Sequence, residues 1–447
     1  MFYISLWASK LWYFFTKRFT TSDRCGMVAL RLYDNFLERV AKPKLVIAVT
    51  GTNGKTTTCN FLVDLFTHAG YKVTSNREGA NLRPGISKAL MRGTTIFNKS
   101  KVDVAILEFD ELSSKIILPK IKPNYVVVTN LFRDTLKRNG HTEFVWNKIN
   151  EGIPKYSTLI LNADDLISAT LGENNKKVYF GIDKQKNEKE FNKSLTMDIR
   201  LCPKCNEELK FDFIRYHHIG SCVCPKCGFK NPKKNYTATK IDETKNEVII
   251  NKKSYPLVSN SIFNVYNLLT AVTVLKECGV KEEKIVSGIK SLNIVETRFK
   301  SMKVNKKTLI THFLKGDNSV SCSRVFEYVA SLKEKLTILL VIDDQHDTIN
   351  HGNSEYMSWM YDADYELLNK ENIKRIIIAG NRRYDEKVRF MMAGINEEKI
   401  LLAENERECN KYIDYKDTET ILILHDLYSV DIARTLVDNI KEDLKWK

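Results

Sequence analysis

Apolar and polar positions alternate along this chain in two series of strand-and-helix units, interrupted by one polar insertion that carries cysteines. The first series opens with Leu45-Val46-Ile47-Ala48-Val49, a short apolar run that predicts a buried strand. After it, Asn60-Phe61-Leu62-Val63-Asp64-Leu65-Phe66 is spaced as a helix. Further strands are predicted at 102–107, 125–129 and 158–161, so the stretch 45–295 reads as a parallel α/β sheet. The insertion spans 200–232 and is preceded by lysine-rich sequence at 183–194 that reads as a loop. A second α/β series follows residue 300, with strands at 337–342, 375–379 and 420–424. The expected organisation is therefore an N-terminal amphipathic helical segment (1–40), a central domain (41–299) and a smaller α/β C-terminal domain (300–447).

The N-terminal segment 2–19 is aromatic and apolar but broken by Lys10, Lys17 and Arg18, too short and too charged to span a bilayer. On a helix, Ile4, Trp7, Leu11, Phe14 and Phe15 share one side, with Ser9, Lys10, Thr16 and Lys17 opposite. That pattern suits an interfacial helix on an anionic leaflet, and equally a helix packed onto the protein's own body.

Chemistry enters at Gly51-Thr52-Asn53-Gly54-Lys55-Thr56-Thr57-Thr58, between the first strand and the first helix. Strand, glycine turn and helix is the context of a phosphate-binding loop, where backbone N–H groups and the positive helix end face a polyphosphate. Lys55 is placed to reach the β- and γ-phosphates and Thr56 to ligate Mg²⁺. Val49 stands where the longer form of this loop has its first glycine. Glu108-Phe109-Asp110-Glu111 closes a predicted strand, at the end where open α/β sheets bind ligands; Glu108 there is a candidate second Mg²⁺ ligand. Asn76–Asn81 and Thr129–Asp134 are polar loops, Asn264-Val265-Tyr266-Asn267 opens an apolar helix, and Arg298 falls at the junction of the two series.

Length and charge narrow the partners. A chain of 447 residues holds two or three domains with cores of their own. Its net charge of +15 admits nucleic acid, an anionic membrane or a phosphorylated substrate, but the lysines are dispersed as on a solvated surface. Cys202-Pro-Lys-Cys205 and Cys224-Pro-Lys-Cys227 have the spacing C-x₂-C-x₁₈-C-x₂-C of a zinc ribbon, closed by four thiolates and so structural. Cys222, His217 and His218 are competing donors close by. The ribbon lacks the aromatic and basic stacking surface of nucleic-acid modules, so nucleic acid is not an expected partner. Metal-type cysteine pairs and the lack of a recognisable cleavable signal peptide point to a cytoplasmic, reducing setting.

Together these segments resemble the Mur ligase superfamily, in which the compact G-T-N-G-K-T loop is typical, and within it the MurT-type synthetases, which carry an inserted ribbon of four cysteines. The resemblance extends through Asn162-Ala163-Asp164-Asp165 and the C-terminal Ala379-Gly380-Asn381-Arg382-Arg383-Tyr384. It implies a Mur ligase-type central P-loop domain with an inserted Cys₄ zinc ribbon, plus a smaller α/β C-terminal domain. It implies ATP, Mg²⁺ and structural Zn²⁺, with Gly51–Thr57 and Glu108 on phosphates and Mg²⁺, Asn267 on the adenine and Arg298 on ATP. It further implies amidation of the D-glutamate α-carboxylate of lipid II at the inner face of the membrane, with ammonia from a GatD-like glutaminase subunit. None of the cysteines outside the ribbon sits in a recognisable glutaminase motif, which agrees with a separate subunit.

Two segments depart from the family pattern. Lys315-Gly316-Asp317 stands where Lys-Asn-Pro is usual, and Tyr356 stands where an aspartate completes the partner's catalytic Cys-His pair. Glu355, one residue earlier, is the candidate replacement, with Asp344, Asp347 and Asp362 as weaker ones. Rival readings are a Mur-like ligase that joins an amino acid or free ammonia to another carboxylate, and a catalytically idle zinc-ribbon binding module.

Overall fold

The structure, a computed structural model, describes residues 1–19, 22–77, 80–133, 140–192, 194–259, 261–292, 299–314, 318–342 and 357–445. It divides into two units, one formed by Met1–Arg133, His141–Asn192 and Met197–Ile294, the other chiefly by Val295–Lys447.

The first unit is built on β1 (Leu45–Thr50), β2 (Val73–Ser75), β3 (Val104–Glu108), β4 (Tyr125–Val128), β5 (Thr158–Asn162) and β6 (Lys177–Ile182). Two strands, β7 (Lys210–Tyr216) and β8 (Ile219–Val223), form a separate antiparallel ribbon; β9 (Tyr236–Asp242), β10 (Glu247–Ile250) and β11 (Lys253–Pro256) return to the main sheet. The nine-stranded order is β11-β10-β9-β6-β5-β4-β1-β3-β2, parallel from β2 through β9 and antiparallel over the last three strands. Strand β1 lies between β3 and β4 and is covered on both faces, which is why its residues are apolar without alternation. The chain runs β1, β2, β3 to one side of β1 and then crosses to β4 on the other, making a topological switch point at the carboxyl ends of these strands. Strands β9 and β11 carry Lys240, Asp242 and Lys253 at partly exposed positions, and the only apolar run among the three is the short Val248-Ile249-Ile250 of β10, too brief to announce a strand.

The N-terminal helix Phe2–Thr16 buries Phe2, Ser5, Leu6 and Ser9, and leaves Ile4, Trp7, Leu11, Phe14 and Phe15 exposed. Serine lines the inner side because the helix backbone comes close to its neighbour: the Ser5 hydroxyl donates to the Ala29 carbonyl at 2.8 Å. The face that packs thus combines Phe2 and Leu6 with two serines, and the apolar face named from the sequence looks outward.

The second unit contains β12 (Phe299–Val304), β13 (Lys307–Phe313), β14 (Leu336–Val341), β15 (Ile373–Ala379), β16 (Ile400–Leu402) and β17 (Thr420–His425), ordered β12-β13-β17-β14-β15-β16. Only the β12–β13 pair is antiparallel. Alternate residues feed two cores: Ile338, Leu340, Ile376 and Leu422 on one face, Leu339, Val341, Ile377 and Ile421 on the other. Arg298, Lys315-Gly316-Asp317, Asp344, Asp347, Glu355 and Tyr356 lie outside the described residues.

Candidate functional site

Strand β1 ends at Thr50, and the helix Lys55–His68 begins directly after Gly54. Between them Gly51 (φ +128°) and Gly54 (φ +86°) hold backbone conformations that side chains oppose. A Cβ on Gly51 would meet Thr129 Oγ1 at 2.2 Å, and one on Gly54 would meet Asn267 Oδ1 at 2.3 Å. The loop is tied down from the end of β4. Asn53 N–H donates to Asn130 Oδ1 at 2.9 Å, Thr52 N–H donates to the Asn130 carbonyl at 2.9 Å, and the Thr129 hydroxyl donates to the Asn53 carbonyl at 2.7 Å. This explains the polar residues after β4: they fix the nucleotide loop's shape before any ligand arrives.

Lys55 folds back onto its own loop. Its Nζ donates to the Gly51 carbonyl and pairs with Glu111 Oε1, each at 2.5 Å. Glu111 was not singled out from the sequence, although it closes the acidic stretch that begins at Glu108; spacing alone does not say which of those carboxylates faces the lysine. Glu108, at the end of β3, is buried, and burial raises its carboxyl above the usual range, opposed by Lys55 and by hydrogen bonds from Thr56 and Asn81. Its Oε2 has no hydrogen-bond partner among the described residues. A buried, unsatisfied carboxylate oxygen beside the Thr56 hydroxyl is the donor set a hard divalent cation needs, so these residues fit Mg²⁺. Asn76 braces the strand end: its Nδ2 donates to the Glu108 carbonyl at 2.7 Å and its Oδ1 accepts from Glu108 N–H at 2.9 Å. The Asn76 loop therefore positions Glu108; Glu78 and Gly79 within it lie outside the described residues.

Asn267 lies on the helix Ile262–Glu277 and is nearly enclosed, its Oδ1 3.4 Å from the Thr58 hydroxyl. The neighbouring Tyr266 belongs to a second buried cluster. Its hydroxyl donates to Asp164 Oδ2 at 2.6 Å and accepts from Arg215 Nη1. Arg215, on β7, also reaches Asp164 at 3.2 Å and grips Glu188 with two donors, at 2.5 and 3.0 Å. Lys234 adds an ion pair to Asp164 at 3.0 Å. This cluster links the inserted ribbon to the helix that carries Asn267, and no sequence pattern indicated it.

The ribbon's Cys202, Cys205, Cys224 and Cys227 converge, their Sγ atoms all lying within 4.8 Å of one another, with Cys202–Cys227 and Cys205–Cys224 each at 3.5 Å. Zinc–thiolate bonds of about 2.3 Å place sulfurs about 3.8 Å apart around a tetrahedron, so the donor set suits that ion. Each knuckle closes alike: Asn206 N–H donates to the Cys202 carbonyl and Gly228 N–H to the Cys224 carbonyl, both residues at positive φ. Cys222 instead packs with Leu166 and Leu209 in a small core, and His218 meets Asp165 Oδ1 at 3.1 Å; among the described residues neither they nor His217 join the thiolate group.

A parallel sheet with a phosphate loop, lysine and strand-end carboxylate at its switch point is a nucleotide-binding arrangement, and the matches that follow make it that of an ATP-dependent ligase of the Mur type. Residues 49–220 match the Mur ligase middle domain family, and residues 316–429 match the family described as MurT ligase C-terminal. The chain is 31% identical over 400 residues to the lipid II isoglutaminyl synthase (glutamine-hydrolyzing) subunit MurT of Staphylococcus aureus (strain COL), covering 88% of each. It is 30% identical to the subunit of the same name from Streptococcus pneumoniae (strain ATCC BAA-255 / R6), over 89% of this chain and 88% of that one. The chain belongs to the MurT family. Among solved structures, a pseudomurein peptide ligase type C from Methanothermus fervidus shares the fold, with a TM-score of 0.69 and 22% identity over 95% of this chain and 85% of that one.

Proposed function

We propose that this chain is the synthetase subunit of a lipid II isoglutaminyl synthase, converting the α-carboxylate of the stem-peptide D-glutamate to the amide. The observation that carries the reading is 30–31% identity along nearly the whole length of subunits so named, together with the matching C-terminal family. The geometry at the switch point supports it. A carboxylate is a poor electrophile until it bears a good leaving group, and one substrate oxygen attacking the γ-phosphorus of ATP, with ADP departing, supplies one. Ammonia then adds to the acyl carbon, loses a proton and expels inorganic phosphate. Lys55 and the N–H groups of Gly51–Thr57 bind and orient the transferring phosphoryl group; Asn267 and Arg298 are assigned to the nucleotide. Thr56 and Glu108 hold Mg²⁺, which neutralises charge on the phosphates when bound.

The ammonia source in this reading is a GatD-like glutaminase subunit, with Glu355 as candidate third member of its catalytic group. Zinc in the four thiolates is structural. The lipid substrate puts the protein in the cytoplasm, at the inner membrane face; no helix among the described residues is long and apolar enough to cross a membrane.

The test is to incubate the purified chain with ATP, Mg²⁺ and lipid II, adding either ammonium or glutamine plus a co-expressed glutaminase. Product is then weighed by mass spectrometry. A carboxylate-to-amide mass change with ammonium supports the synthetase, and one with glutamine supports coupling to the partner. No change under either condition sinks the reading and favours a different acceptor.

A further inference from the structure

Helices at the surface of a soluble protein bury their apolar side and leave the polar side to water. The helix Phe2–Thr16 buries Phe2 and Leu6 with two serines, yet turns most of its large apolar side chains outward. It is pinned through Phe2 and Leu6 in the core, through Ser5, whose hydroxyl donates to the Ala29 carbonyl, and through Lys10, whose Nζ donates to the carbonyls of Met91 and Thr94 at 2.6 and 2.7 Å; the buried Ser9 hydroxyl is spent on the helix's own Ser5 carbonyl. The outward side then shows Ile4, Trp7, Leu11, Trp12, Phe14 and Phe15, with Phe14 and Phe15 each 63% exposed. A second element extends this surface. The turn joining Thr94 to Ser100 raises Ile96 and Phe97 beside the helix, and Trp7 Nε1 donates to the Ile96 carbonyl at 2.9 Å. Phe97 is 68% exposed.

Charge identifies the occupant. Residues 1–22 contain no Asp or Glu, and neither do residues 83–102. Around the aromatic surface stand Lys17, Arg18, Arg92, Lys99 and Lys101, all exposed. Asp23, the first carboxylate in the chain, is held by Lys88 at 3.6 Å. Exposed tryptophan and phenylalanine on two adjoining segments that carry no Asp or Glu, with lysines and arginines at their margin, match the boundary layer of a bilayer with anionic headgroups. We infer that the outward face of Phe2–Thr16 and the Ile96-Phe97 turn form one docking surface for an anionic lipid bilayer, the aromatic rings entering the acyl boundary and the lysines and arginines meeting the headgroups. This goes beyond the cytoplasmic-face location proposed above: it needs neither the nucleotide nor lipid II, and it fixes which side of the unit faces the lipid.

The experiment is co-sedimentation of the full chain, without nucleotide or lipid II, with vesicles of phosphatidylcholine alone or mixed with phosphatidylglycerol. Binding is expected to the mixed vesicles, weakening with salt, together with a blue shift in tryptophan emission that Trp7→Phe/Trp12→Phe removes. Leu11→Ser/Phe14→Ser/Phe15→Ser is expected to lower partitioning by about tenfold or more. These side chains are exposed, so an unchanged thermal melt shows that the variant still folds. Failure of the wild-type chain to bind either vesicle, or equal binding by the triple variant, overturns the inference. So does a wild-type dimer that the triple variant dissolves and that ignores vesicles, since a second copy then covers the face. Vesicle binding without amidation would sink the ligase reading alone.

Discussion

Two clusters of buried charge lie in the same unit and differ in how completely they are satisfied. Asp164, Arg215, Glu188, Tyr266 and Lys234 meet one another by ion pairs and hydrogen bonds, with Arg215 and Asp164 side chains 3% and 1% exposed. Glu108 and Lys55 are also shielded, yet Glu108 keeps an unpartnered oxygen and Lys55 leans on its own loop's carbonyls and Glu111. In the first cluster every charge stands beside an opposite one, Asp164 Oδ1 through its ion pair with Lys234 at 3.0 Å rather than a hydrogen bond, and the cluster holds elements together. The second leaves Glu108 Oε2 without a partner, and under the proposed function that residual cost is what metal binding would relieve.

Breaking the first cluster should cost the most. Asp164→Ala leaves Arg215 buried without its central partner and is expected to destabilise the protein by about 4 kcal/mol, measured by denaturant unfolding. A loss under about 1 kcal/mol would mean that the cluster is not structural. Glu386 tests whether any orphaned carboxylate oxygen implies function. It is fully buried in the second unit, its Oε1 lacks a partner, and burial raises its pKa to about 7. Between those values the folded state holds a proton that the unfolded chain has released, so the contribution of Glu386 to stability is largest below about pH 4.5 and falls as pH rises to about 7. The fall is roughly 3 kcal/mol, and Glu386→Gln should flatten it while leaving ATP turnover intact.

At the incomplete cluster the effect should move from stability to turnover. Glu108→Gln keeps the shape but removes the penalised charge, so turnover should drop about a hundredfold while the ligand-free protein melts no lower. A large loss of stability would mark Glu108 as structural. The smallest effect expected is on metal affinity. Because Glu108 must shed its proton to bind Mg²⁺ and its pKa is raised, affinity should begin to weaken at a pH above the ordinary carboxylate range. The decline should be up to about tenfold per pH unit, read from Mg²⁺ titrations of nucleotide binding.

Local chemistry was legible in the sequence and long-range pairing was not. The strand and loop at 45–58, the helix that follows and the two Cys-Pro-Lys-Cys knuckles depend on neighbours a few residues away, and the structure places them as the pattern indicates. Lys55 with Glu111, and Arg215 with Asp164, join residues 56 and 51 positions apart, and nothing in either segment announces its partner. Strands β9 to β11, of which only β11 is at the sheet edge, escaped because partly exposed antiparallel strands tolerate the lysines and aspartates that a buried strand excludes. The N-terminal face was visible as a pattern, but only the burial of Phe2, Ser5, Leu6 and Ser9 shows which side is covered.

The contact between Gly54 and Asn267 has a consequence for how such a chain can change. These residues stand 213 positions apart, yet a single added methyl at 54 would lie 2.3 Å from the Asn267 side chain. The two sites therefore cannot drift independently: a larger residue at one requires a smaller one at the other, and the turn at 54 (φ +86°) penalises the first half of any such exchange. The phosphate loop and the helix that carries Asn267 form a matched pair, and recombination that brought them from different parents would bring together surfaces that do not fit.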